Sequence, residues 1–276
     1  MAITNFIPTL WSARLMDALE KSHVAANLVN RDYEGMITGQ GDTVKINSIG
    51  DIAVKTYTKN TDMADPDELA TNLATLTISQ SKYFNFQVDD VDKVQAAGEL
   101  VDKAMSNAAY KLADVADTYL LGVMAAGVDS GNKMTSTALT AANIYEKIVA
   151  LRLKLDKANV PTAERFLIVP PEAYALLLQD NRFVGGGGAM AEAAVRNGMV
   201  GQVAGFTVYE SNNLPVETNA TDLIAGVPSA TTYAEQITKT EAYRMEKRFA
   251  DGIKGLHVYG ATVTDGKRLA VLPATF

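Results

Sequence analysis

The chain has 276 residues, a formal charge of −7, no cysteine and two histidines, His23 and His257. That count excludes disulfide frameworks, thiolate chemistry and Cys-ligated zinc or iron–sulfur sites, and leaves too few histidines for a three-His metal site. The acidic balance argues against a dedicated nucleic-acid binder, and the longest apolar run, Leu120–Val128, falls far short of the roughly 20 residues of a membrane helix.

The opening thirty residues read as an arm. Leu10, Trp11, Arg14, Leu15, Ala18 and Leu19 set an apolar stripe at helical spacing behind Pro8–Thr9. So short a helix is unstable alone and must dock on a surface, its own or a neighbour's. No basic n-region precedes it, so no secretory signal is expected.

Between Thr43 and Val88 the period becomes two. Ala74, Leu76, Ile78, Gln80, Lys82, Phe84, Phe86 and Val88 alternate with a polar set. A single strand over this stretch would span roughly 50 Å. With Thr43–Lys55 it predicts a long two-stranded ribbon, whose tip TKNTDMADPDEL is polar and acidic. A helix follows from Gly98 to Ala126, with one face built from Val101, Ala104, Met105, Ala108, Leu112, Val115, Ala116, Tyr119 and Val123. It measures about 43 Å, against a diameter of roughly 48 Å for a compact globule of this length. Two elements that each cross the whole molecule predict an extended subunit, which buries its surplus apolar surface in an assembly.

The remainder alternates helix and strand. Ala141–Ala158 is an amphipathic helix on Ile144, Ile148, Leu151 and Leu155; Glu164–Val169 is a buried strand; Pro171–Gln179 is a helix opened by proline. A flexible loop at Gly185–Gly188, a helix at Ala189–Arg196 and a strand at Phe206–Glu210 come next. Tyr243–Phe249, Ile253–Thr264 and Lys267–Pro273 close the chain, the last two joined by a hairpin turn at Asp265–Gly266.

Chemistry is sparse along this path. Gly185–Gly188 lacks dinucleotide-loop spacing, and Gly260–Arg268 encloses one residue too many for a phosphate loop. Asp62, Asp65, Asp67 and Glu68 lack the spacing of a calcium loop and read as a solvated tip or a partner for a basic patch. His257 sits in a strand-like run, LHVYG, where a structural role is expected; a hydrolase built on it is the remote alternative. No cofactor or metal is expected.

Several strings resemble, in order, those of the major capsid proteins of tailed bacteriophages. They are FIPTLWSARL, NLVNRDYEG, GDTVKINSIG, KYFNFQVDDVDK, ADVADTYLLG, VPPEAYALLLQDNRF, GQVAGFTVYESNNLP and FADGIKGLHVYGATV, spanning Phe6 to Pro273. The resemblance implies an α+β, Hong Kong 97-type fold. Its parts would be an N-terminal arm (1–33), an extended β-hairpin loop (34–88), a peripheral domain (89–160) carrying a spine helix (98–126), an axial domain (161–235) and C-terminal strands returning to the peripheral domain (236–276).

In function it implies a coat protein that self-assembles as hexamers and pentamers of an icosahedral shell around packaged double-stranded DNA. An encapsulin-like shell around a cargo enzyme is the nearer alternative. Further implied are a separate scaffolding protein, a portal, weak non-specific contact with the DNA, no membrane, assembly in the host bacterial cytoplasm and residence in the virion capsid. With Met1 at the start of the arm, no maturation cleavage is expected, nor a cross-link through Lys55 or Lys59. The residues expected at subunit contacts are Trp11, Arg14, Lys55, Lys59, Asp62, Asp65, Asp67, Glu68, Arg182, Gly186 and Gly187.

Overall fold

A computed structural model of the chain describes residues 24–36, 41–49, 54, 56–57, 59–60, 62, 71–89, 99–180, 201–246 and 250–276. The stripe at Leu10–Leu19, the glycine loop and the helix expected at Ala189–Arg196 lie outside them.

The alternating stretch forms three strands. β1 (Thr43–Ile49) pairs antiparallel with β2 (Thr71–Thr77), from Thr43 opposite Thr77 to Ile49 opposite Thr71. β3 (Gln80–Asp89) leaves that ribbon and joins another sheet. The expected continuous ribbon of roughly 50 Å is therefore corrected: seven paired residues give about 24 Å. Alternation sets the facing correctly, with Leu76 and Ile78 buried, but facing carries no information about the partner. The switch occupies one residue. The Ile78 amide and carbonyl still bond Asp42 and Gly41 of the ribbon, while Gln80 already pairs with Tyr259 of the next sheet.

That next sheet has the order β10–β11–β3, all antiparallel, with β10 at Thr231–Arg244 and β11 at Ala250–Val263. Fourteen residues make each long strand about 46 Å. Helix α1 (Glu99–Ala126) packs on one face, where Met105, Ala109, Leu112 and Ala113 meet Phe84, Phe86 and Ile253. The apolar face expected on α1 is rotated from its true position. Val115 is 43 % exposed, whereas Asp117 is 3 % exposed and stands in the buried row.

Residue size decides one crossing. β11 passes over the β2–β3 switch at Gly260, where a Cβ would run into the Thr77 carbonyl oxygen and crowd the Ile78 Cα. Only glycine lets the two backbones approach that closely.

The third sheet has the order β4–β12–β9–β5–β7–β6, with β8 on β9. Its strands are β4 (Thr137–Ala138), β5 (Phe166–Val169), β6 (Gln202–Val203), β7 (Phe206–Glu210), β8 (Val216–Glu217), β9 (Ala220–Gly226) and β12 (Leu269–Thr275). Helices α2 (Ile144–Lys157) and α3 (Pro171–Gln179) pack against it. Ile144, Ile148, Leu151 and Leu155 are all fully buried, as the periodicity of α2 demands. Each such side chain contributes about 1.5–3 kcal/mol by leaving water.

The hairpin expected at Asp265–Gly266 does not form, because β11 and β12 belong to different sheets. The Asp265 carboxylate instead accepts bonds from the Lys267 amide and the Arg268 guanidinium, at 3.0 Å each, closing a 3₁₀ turn. A Cβ on Gly266 would strike the Gly127 carbonyl just beyond α1. The turn wedges there and redirects the chain from one sheet to the other.

Candidate functional site

The one described histidine, His257 on β11, is fully buried. Its Nε2 stands 3.0 Å from the Glu235 carboxylate on β10. Glu235 gathers two further donors, the Tyr233 hydroxyl at 2.8 Å and the Arg31 guanidinium at 2.9 Å, and Arg31 also holds Glu34 at 2.7 Å. Burial, reinforced by the Glu235 charge, keeps the Tyr233 phenol protonated well above its ordinary range. Burial also pushes Tyr259, whose ring lies 5.0 Å from the imidazole, up to about 12. An imidazole without solvent contact reaches no substrate, which removes the hydrolase reading built on His257. The cluster is a buried polar joint between the segment before β1 and the long strands.

An exposed surface lies along β3 and α1. Tyr83 of β3 is 76 % exposed, and Tyr110 and Val115 of α1 are 55 % and 43 % exposed. A groove of about 470 Å³ between β3 and α1 is lined by Ser81, Lys82, Tyr83, Phe84, Ala108, Lys111, Leu112 and Val115. Both of its charged residues are cations, in a chain of net charge −7. Across β3 a second groove, of about 400 Å³, is lined by Tyr83, Asn85, Glu241, Lys254, Gly255 and Leu256. There Lys254 bridges Glu241 at 3.0 Å and overlies the Tyr243 ring, and Tyr243 donates to Asn85 at 3.1 Å. Tyr83 thus stands exposed between two adjoining grooves.

Of the residues expected at subunit contacts, Lys59 and Asp62 are described, and both are exposed. Val54 and Tyr57, in the same stretch, are 97 % and 69 % exposed. Trp11, Arg14, Lys55, Asp65, Asp67, Glu68, Arg182, Gly186 and Gly187 lie outside the described residues. Among the described residues, no group of three His, Cys, Asp or Glu side chains is placed to hold a metal ion, and no helix is long and apolar enough to cross a membrane.

The family model described as phage capsid protein matches residues 52–272. This chain belongs to the phage capsid protein family. A chain from Mycobacterium phage Che8 is 32 % identical, with a TM-score of 0.74 over 91 % of this chain and 90 % of that one. A chain from the capsid structure of the cyanophage P-SCSP1u shares 18 % identity, with a TM-score of 0.70 over 92 % of this chain and 86 % of that one. The holo-SrpI encapsulin complex of Synechococcus elongatus gives a TM-score of 0.56 at 11 % identity, covering 90 % of this chain and 85 % of that chain, a likeness of fold alone. No curated protein matches. The α+β architecture is thus the Hong Kong 97-like capsid fold, and the protein is a structural coat protein that takes its place, in many copies, in the virion capsid.

Sequence reasoning missed three residues of this capsid subunit. Glu235 lies in TTYAEQITK, a polar string without helix or strand signature. Asp117 sits in the buried row of α1, where a periodic reading expects an apolar side chain. Tyr83 falls on the polar side of the alternation, so its exposure was legible and its place between two grooves was not.

Proposed function

We propose that copies of this protein assemble as hexamers and pentamers of a closed icosahedral shell around packaged double-stranded DNA. The observation that carries this reading is the likeness to the Che8 phage chain over nine-tenths of both sequences. The exposed Tyr83, set between two adjoining grooves, supports it as a place where another subunit can seat. Assembly takes place in the bacterial host's cytoplasm on a separate scaffolding protein and a portal, and the DNA is met by weak, salt-dependent contact. The protein performs no catalysis.

In the same reading the arm (1–33), the extended loop (34–88), the peripheral part (89–160), the axial part (161–235) and the returning strands (236–276) are the working units. Trp11, Arg14, Lys55, Lys59, Asp62, Asp65, Asp67, Glu68, Arg182, Gly186 and Gly187 face neighbouring subunits. Sedimentation and electron microscopy of purified protein test the shell: closed particles of megadalton mass are expected, and a monomer at every concentration refutes it. Particles recovered from cells with an enzyme inside in place of DNA would move the reading to a nanocompartment. Deleting Lys59–Glu68 is expected to leave a folded subunit that no longer closes particles.

A further inference from the structure

The segment ahead of β1 is tied down by two carboxylates that belong to other elements. Asp117, on the buried side of α1, accepts the backbone N–H groups of Val24 at 2.7 Å, Ala25 at 3.2 Å and Ala26 at 3.3 Å. These open the 3₁₀ turn Ala26–Leu28, which has no capping side chain of its own. Free N–H groups at such a start need an acceptor, and a charged one makes the stronger bond. Here the acceptor comes from more than ninety residues away in the chain.

Beyond the turn the backbone is held a second time. Asn30 bridges Thr232 of β10, the Tyr233 amide donates to the Asn30 carbonyl at 2.9 Å, and Arg31 reaches Glu235. Ala25, Ala26, Leu28 and Val29 fill the main core between these two ties. The strap is thus double-ended: one tie is to a helix and the other to a strand. Only the Asp117 end adjoins residues 1–23. Losing it frees the first three amides and leaves the Asn30–Arg31 end and the sheets in place.

We propose that Asp117 is the positioning residue of the N-terminal arm. Its carboxylate fixes the joint at Val24–Ala26 where the first 23 residues meet the body, and closure of particles depends on that joint while folding of the body does not. This rests on the shell reading given above. A fixed joint matters to a shell because an arm of this length contributes to a closed lattice only if every copy leaves its subunit at the same point and in the same direction. The cost of ordering the joint is then met within the subunit rather than at the contact.

The test uses the full chain with Asp117→Asn and Asp117→Ala, read by amide hydrogen exchange and by sedimentation with electron microscopy. In the wild type, the amides of Val24, Ala25 and Ala26 are expected to exchange as slowly as those of β10 and β11. In D117N they are expected to exchange at least about tenfold faster, with β10 and β11 unchanged and closed particles lost. Three results would overturn the proposal: wild-type amides at 24–26 exchanging like exposed peptide, a D117N chain with loosened amides that still closes particles at wild-type yield, or a D117N chain that cannot fold. A wild type that never forms particles would instead sink the shell reading, and the exchange measurement would still decide the joint.

Discussion

Glu235→Ala probes the buried joint most directly. Glu235 is 3 % exposed and accepts from Tyr233, His257 and Arg31. Truncation leaves the Tyr233 hydroxyl and the His257 Nε2 facing a void, in side chains with no access to water. An unsatisfied buried group costs about 1–3 kcal/mol each. Arg31 is 21 % exposed and keeps Glu34, so its loss falls near the low end of that range. The expected destabilisation is about 3–7 kcal/mol, a large part of the 5–15 kcal/mol that holds an ordinary domain together. Glu235→Gln retains the volume and one acceptor oxygen and should lose less than half as much. Urea unfolding of dissociated subunits at fixed concentration measures both, since assembly would otherwise add its own stabilisation. A loss below about 1 kcal/mol for Glu235→Ala would show that the carboxylate does not organise the cluster.

Four other changes have expected outcomes. Gly260→Ala should destabilise the subunit by about 1–3 kcal/mol or more, read as a lower urea midpoint, because the added methyl meets backbone at the β2–β3 switch and no side chain can yield. Arg165, its side chain 2 % exposed, bonds the Val160 and Pro161 carbonyls and holds the Asp156 carboxyl below its ordinary range. A lowered carboxyl value stabilises the fold above the unfolded value of about 3.9 and is lost as pH falls through the folded one. The gap between wild type and Arg165→Met should therefore narrow between neutral pH and pH about 3. Asp222 is the opposite case: burial foremost, then the Glu217 charge, raises it, so its ionised form opposes folding at neutral pH. Asp222→Asn should raise the urea midpoint at pH 7 and lose that advantage once acid has protonated the wild-type carboxyl. Tyr83→Ser should leave subunit stability within about 0.5 kcal/mol of wild type yet depress particle yield, as sedimentation would show.

What was legible in the sequence follows from how local its cause is. Ile144, Ile148, Leu151 and Leu155 announce α2 because one helix face carries the whole signal, and Pro171 marks the start of α3 by its own chemistry. β9 was not read, because its buried run Leu223–Ile224–Ala225 belongs to a central strand with both faces covered and shows no alternation. β10 was missed for the opposite reason. Threonines, charges and a buried glutamate fill a strand whose stability comes from thirteen paired positions on β11. The Asp265–Gly266 pair illustrates the same limit, since a turn signal says that the chain bends and not which strand waits beyond. Of the expected contact residues only Lys59 and Asp62 fall within the described residues, and both are exposed.

The division of the alternating stretch at Ser79 ties these features together. A single continuous strand would make the ribbon a rigid outgrowth of the body, with its direction set only by strand twist. Instead the ribbon ends at Ile78, β3 begins at Gln80, and β11 crosses the junction at Gly260. Ile46, Leu76 and Ile78 from the ribbon share one apolar cluster with Ala234 of β10 and Val258 of β11. Ser79 itself lies 3.2 Å from the Tyr119 hydroxyl of α1. The base of the ribbon is therefore held by packing on the long strands and by one polar contact to the helix, while its hydrogen-bonded ladder is separate from theirs. Such a base sets where the ribbon leaves the long strands by side-chain packing, with the two ladders kept separate.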